Sequence, residues 1–298
     1  MEIDIKNLYK WCKIPVEDLE KHPDLKIPFR IVKDSEAMGN LMAQELVSEI
    51  NKANKESRPC RVIIPCGPKA WYAPFTKMIN DGKVSLKNLF AFHMDECLDW
   101  EGKLLAKNDP HNFRTFMEKY FYGGILPKLN VPITQRFFPE PSKIDFIKKK
   151  ITIAPIDTTI GGWGQDGHMA YNQARRNPYS QISLFQLRNS ELRIQDNNID
   201  TIIALSQRSL GCAYQFIPPM SITLGMKECL SARKVRVYSD TGDWKKTALR
   251  IALFSKETVE YPMTLLQSHP DAIITATYDT SVHPISEHPE WEFKGVNI

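Results

Sequence analysis

The chain has 298 residues, 42% hydrophobic and 25% charged, a size and balance that suit one large α/β domain or two small ones and argue against disorder and low complexity. Its net charge of +4 comes from 39 basic and 35 acidic residues spread along the chain, with Lys148-Lys149-Lys150 the one basic run, which argues against a nucleic-acid-binding face. Six cysteines (Cys12, Cys60, Cys66, Cys97, Cys212, Cys229) make no C-x-x-C pair or metal-type cluster, the N-terminus lacks a signal-peptide layout, and no run nears the roughly 18 apolar residues of a membrane span, so a cytoplasmic protein without a structural metal is expected.

Residues 1–33 carry Pro15, Pro23 and Pro28 and read as an irregular N-terminal extension lying on a main domain, 34–298. Asp34-Ser35 starts a helix, with Met38, Leu41, Met42, Leu46, Val47 and Ile50 at helical spacing. Arg61 to Pro65 is a buried strand. Cys66-Gly67-Pro68-Lys69 turns out of it into a helix over about 70–81. Leu89 to His93 is the next strand and runs into Met94-Asp95-Glu96; helices follow near 112–122 and 143–152. Ile156 to Ile160 is a β-branched strand ending in Gly161-Gly162-Trp163-Gly164-Gln165-Asp166-Gly167-His168. Lys234 to Tyr238 and Asp271 to Ala276 are further strands, with an amphipathic helix over 243–255 between them. Alternating strands and helices predict a mostly parallel, doubly wound (Rossmann-like) α/β sheet with helices on both faces. Ligands of such sheets bind beyond the carboxyl ends of the strands. The turns at 66–69, 94–96 and 161–168 are therefore expected on one rim.

Asp95-Glu96, two carboxylates at a strand end, reads either as a helix cap or solvated turn or as a general base, whose pKa partial burial would raise toward a working range. Asp166 and His168 lie in a glycine-rich loop that can approach a ligand closely, and a histidine there can pass a proton both ways. The segment lacks the G-x-G-x-x-G spacing of a dinucleotide fingerprint. Candidates for holding phosphate are Gly67 with Lys69, then Arg208, then Lys245, which follows Gly242 near a helix start.

These segments resemble the glucosamine-6-phosphate deaminase/isomerase family. Phe92-His-Met-Asp-Glu-Cys97 is similar to its F-N-M-D-E-Y, and Gly161 to Asn172 (G-G-W-G-Q-D-G-H-M-A-Y-N) to its G-G-x-G-x-D-G-H-I-A-F-N. Gly82 to Asn88, Ser221 to Leu230 and Leu266 to Pro270 extend the likeness to about residues 30–280. The D-G-H segment is shared with 6-phosphogluconolactonases, whereas M-D-E leans to the deaminases. The resemblance implies an aldose–ketose isomerisation of glucosamine 6-phosphate with loss of ammonia, without cofactor or metal, in a monomer or a homo-oligomer. It implies that Asp95 moves a proton between carbons 1 and 2, that His168 with Asp166 helps open the ring, and that Arg208 and Lys245 hold phosphate.

Three departures fall in the site. The family's F-N-E becomes Tyr171-Asn172-Gln173, so Gln173 is expected to stand at the catalytic histidine without a charge to stabilise imidazolium. The family's T-G-S-T-P phosphate loop becomes Cys66-Gly67-Pro68-Lys69-Ala70, losing two hydroxyls and an N–H, with Lys69 as a substitute point charge. Cys97 and His93 replace a tyrosine and an asparagine. The alternatives are an isomerase or lactonase acting on another sugar phosphate, and a sugar-phosphate-binding protein without catalysis.

Overall fold

The computed structural model describes residues 3–174, 181–288 and 290–291. In chain order it contains α1 (Ile5–Cys12), α2 (Val16–Leu19), β1 (Phe29–Val32), α3 (Ser35–Lys55), β2 (Cys60–Ile64), α4 (Tyr72–Gly82), β3 (Leu89–His93) and β4 (Asp95–Leu98). There follow α5 (Phe113–Phe116), running on as a π-helical turn (Met117–Tyr122), then β5 (Arg136–Phe137), α6 (Ile144–Thr152), β6 (Thr158–Gly161), α7 (Leu184–Arg188), β7 (Arg193–Asp196) and α8 (Ile199–Ser209). The chain continues with β8 (Met220–Thr223), α9 (Met226–Cys229), β9 (Lys234–Ser239), α10 (Lys246–Phe254) and β10 (Ala272–Thr277).

Seven strands form a parallel sheet in the order β1-β10-β9-β6-β2-β3-β5. Every residue of β2 is buried, because both faces of the sheet are covered. Alternate residues serve opposite cores. Val62 and Ile64 pack with Met38, Met42 and Leu46 of α3 and Phe75 of α4; Ile63 joins Ile147 of α6 and Leu249 and Leu253 of α10. Asp34 starts α3 as read from sequence, its carboxylate accepting the Ala37 N–H at 2.9 Å.

The mostly parallel α/β sheet is present as expected, and one expectation is corrected. Within the N-terminal 33, the described residues 3–33 are not irregular chain: they contain α1, α2 and β1, and β1 is the edge strand of the main sheet, paired in parallel with β10. The main sheet is also accompanied by a second, three-stranded antiparallel sheet, β4-β8-β7. Its strands are short and mix polar with apolar residues, so no apolar run marks them.

The second sheet positions the site. Met94 is the hinge between the sheets: its N–H donates to the Ile64 carbonyl (3.1 Å) and its carbonyl accepts from Leu224 N–H (2.8 Å). Asp95 therefore stands at the seam, opposite Thr223 of β8. Among the described residues no helix is long and apolar enough to cross a membrane.

Candidate active site

The three turns beyond β2, β3 and β6 meet on one rim, around a cavity of about 620 Å³. Gly67 and Lys69 line it from the first turn, Asp95 from the second, and Trp163, Asp166 and His168 from the third, with Arg208 and Lys245 on the remaining wall. The first and third turns touch: a Cβ on Gly162 would lie 3.4 Å from Pro68 Cδ.

The loop after β6 is shaped to hold Asp166 against His168. Gly167 takes φ +71°, and Gly164 and His168 close a tight turn through the bond from Gly164 N–H to the His168 carbonyl (3.0 Å). The Asp166 carboxylate meets His168 Nδ1 at 2.7 Å. Gly164 makes room for this pair, since a Cβ there would stand 2.2 Å from His168 Cε1. Burial pushes the Asp166 carboxyl up, but the His168 imidazole and nearby backbone donors outweigh it and hold the group below its usual value. A carboxylate on Nδ1 fixes the ring's tautomer and orientation and leaves Nε2 to take or give a proton.

The two carboxylates that follow β3 have different fates. Glu96 is buried and accepts from the N–H groups of Phe113 (2.7 Å), Arg114 (2.7 Å) and Cys97 (3.0 Å), so it caps α5. Asp95 faces the cavity. Burial, and then the charge of Glu96, raise its pKa to about 7, against a smaller pull from His168. Glu96 is the helix cap, and Asp95 is the carboxylate of the two that lines the cavity.

Two cations, Arg208 and Lys245, form one wall of the cavity, with Asp240 beside them. Arg208, in the last turn of α8, donates from Nε to the Ala204 carbonyl (2.8 Å), and its guanidinium lies 4.6 Å from the Trp244 ring centroid. Lys245 is the N-cap residue of α10, with Nζ 5.6 Å from the Trp163 ring centroid. Burial, and then the charge of Arg208, lower the Lys245 ammonium to about 8, with Asp240 opposing. An anion between these cations would relieve that repulsion and also gain from the start of α10. Lys69 is exposed, its ammonium 3.9 Å from the Phe116 ring centroid. Gly67 lies in the open rim, with nothing within 4 Å of a Cβ built there.

Gln173 is the site expectation the geometry does not support. Its side chain is buried but does not line the cavity: Nε2 donates to Thr201 Oγ1, and Oε1 accepts the Asn198 N–H (2.9 Å). Both amide ends pin the start of α8, and the group on His168 Nδ1 is Asp166. His93, the other substitution beside Asp95, is also internal; Nε2 pairs with Tyr122 Oη (3.0 Å), the ring stacks on Phe138, and burial lowers its pKa to about 3, so it stays neutral.

Tyr171 is a cavity residue that motif reading passed over. Its ring stacks on His168, centroids 5.8 Å apart at 17°, and its hydroxyl lies 3.6 Å from Cys97 Sγ. The signal was present in the sequence, as tyrosine where the family segment has phenylalanine.

No family model matches the chain. A curated relative from Phocaeicola vulgatus, named glucosamine-6-phosphate deaminase, is 32% identical over 250 residues, covering 82% of this chain and 89% of the relative. One from Mannheimia succiniciproducens with the same name is 28% identical over 271 residues, covering 88% and 95%. Among solved structures, a monomeric glucosamine-6-phosphate deaminase superposes with a TM-score of 0.71 at 16% identity, covering 85% of this chain and 98% of that one. A 6-phosphogluconolactonase from Shewanella baltica superposes with 0.58 at 14%, covering 84% and 97%. These superpositions show a shared fold, and the sequence identity goes further: the chain belongs to the glucosamine-6-phosphate deaminase family.

Proposed function

We propose that the protein converts glucosamine 6-phosphate to fructose 6-phosphate and ammonia. The observation that carries this reading is the meeting, in one cavity, of a carboxylate raised to about 7, a carboxylate-braced imidazole and a pair of cations. In this reading Arg208 and Lys245 hold the phosphate, and His168, braced by Asp166, relays the proton that opens the ring. Asp95 takes the proton from carbon 2 and returns it at carbon 1. The resulting imine at carbon 2 is hydrolysed by water, which releases ammonia. A group whose pKa sits near the working pH suits both directions of the Asp95 transfer.

Ammonia and fructose 6-phosphate are followed with wild type and Asp95→Asn at millimolar glucosamine 6-phosphate. Turnover by wild type and a loss on the order of a thousandfold or more in the variant support the reading. Equal rates refute the role of Asp95. The altered loop Cys66 to Ala70 favours a second reading, action on a different sugar phosphate. A panel of sugar phosphates in which another substrate exceeds glucosamine 6-phosphate in kcat/KM would select it.

A further inference from the structure

Positions 97 and 171 have exchanged a hydroxyl. The family's M-D-E-Y ends here in Cys97, and its H-I-A-F-N carries Tyr171 in place of the phenylalanine. The fold brings these two positions, 74 residues apart, into contact, with Tyr171 Oη 3.6 Å from Cys97 Sγ. The chain thus carries its phenol at position 171, on the stretch of chain that faces Cys97.

Tyr171 is held firmly there. Its N–H donates to Thr223 Oγ1 (3.0 Å) and its carbonyl accepts from Gln195 Nε2, which ties it to β8 and β7. The ring is stacked against both His168 and Phe113, at 17° to each. Cys97, which the hydroxyl meets, is two residues from Asp95 on β4, so the two side chains share one face of the second sheet. Among the described residues its hydrogen-bond partner is the Cys97 thiol, a weak donor and acceptor. Burial, and then neighbouring acidic groups, push the phenol well above its usual value, so it stays protonated and can donate.

We propose that the Tyr171 hydroxyl donates a hydrogen bond to the carbon 1 oxygen of the opened sugar while Asp95 moves the proton between carbons 2 and 1. The inference rests on the function proposed above. Removing the carbon 2 proton pushes the electron pair toward the carbon 1 oxygen. A neutral donor fixed there stabilises that charge and keeps its own proton throughout. Tyr171 then spans the two halves of the chemistry, with His168 at its face and, at its hydroxyl, Cys97 on the face of β4 that carries Asp95.

Steady-state kinetics on wild type, Tyr171→Phe and the double variant Cys97→Tyr/Tyr171→Phe test this. The single variant carries the family's phenylalanine and is expected to fold, which a melting curve checks. Its kcat is expected to fall on the order of a hundredfold at nearly unchanged KM. The double variant, which restores the family arrangement, is expected to recover about tenfold or more of that loss. A single variant with kcat within about threefold of wild type, or a loss confined to KM, overturns the proposal. If wild type itself releases no ammonia, the function reading falls by that result alone. The hydroxyl is then judged by binding of 2-amino-2-deoxyglucitol 6-phosphate, a non-reacting open-chain ligand. About tenfold weaker binding to Tyr171→Phe, the size of one neutral hydrogen bond, supports the contact; equal binding overturns it.

Discussion

Asp95 and Glu96 are neighbours with the same charge, and the fold separates them by burying one as a cap and turning the other to the cavity. Burial raises both to about 7. With Asp95 as the base, kcat/KM rises with pH until that carboxylate is ionised near 7, and falls again as Lys245 loses its proton near 8. A pH–rate profile of wild type checks this, with the high-pH loss expected in KM. Stability follows the opposite course. A carboxyl whose folded pKa is raised contributes stability that is complete below its unfolded value and is lost as pH rises through about 7. Asp95→Asn is therefore expected to melt higher than wild type at pH 8, by about 2–4 °C for each kcal/mol relieved, with the gain vanishing near pH 4. The candidate residues themselves were legible, because Asp166, Gly167 and His168 form a local motif whose chemistry does not depend on the rest of the chain. Gln173 was misplaced for the converse reason: five residues past His168 the backbone has turned away, and only tertiary structure shows that its amide serves Thr201 and Asn198.

At the scale of elements, α8 ties a buried amide to a cation that lines the cavity. Gln173 fastens its first turn and Arg208 sits in its last. Gln173→Ala would leave the Asn198 N–H and the Thr201 hydroxyl without their buried partner, at a cost of about 1–3 kcal/mol. The expected kinetic signature is a KM raised about tenfold with kcat largely kept, since the helix that carries Arg208 loosens while Asp95 and His168 stay in place. A change in kcat alone would contradict this. The apolar strands β2 and β3 and the long helix α3 were readable from periodicity. The antiparallel strands β4, β7 and β8 were not: four residues each, they are specified by pairing across the sheet rather than by local pattern, and they are what sets Asp95 and Tyr171 facing the cavity.

For the whole molecule, the segment from Ile14 to Val32 belongs to the structure of the sheet. Leu19, Ile27 and Phe29 are in the main core, Lys26 N–H donates to the Leu253 carbonyl (2.8 Å), and the buried Arg250 guanidinium donates to the Ile14 carbonyl (3.1 Å). Deleting residues 1–33 would bare the β10 edge and strand part of the Arg250 charge. Low soluble yield or a melting temperature lowered by many degrees is expected, and a truncated protein that melts like wild type would contradict this. The cavity that the whole fold encloses is tested most directly by its product. Purified protein is incubated with millimolar glucosamine 6-phosphate in deuterated buffer and followed by NMR, with ammonia assayed in parallel. Fructose 6-phosphate and ammonia are expected in equal amounts, formed by wild type and not by Asp95→Asn. Substrate that stays unchanged with wild type at high protein concentration would contradict it.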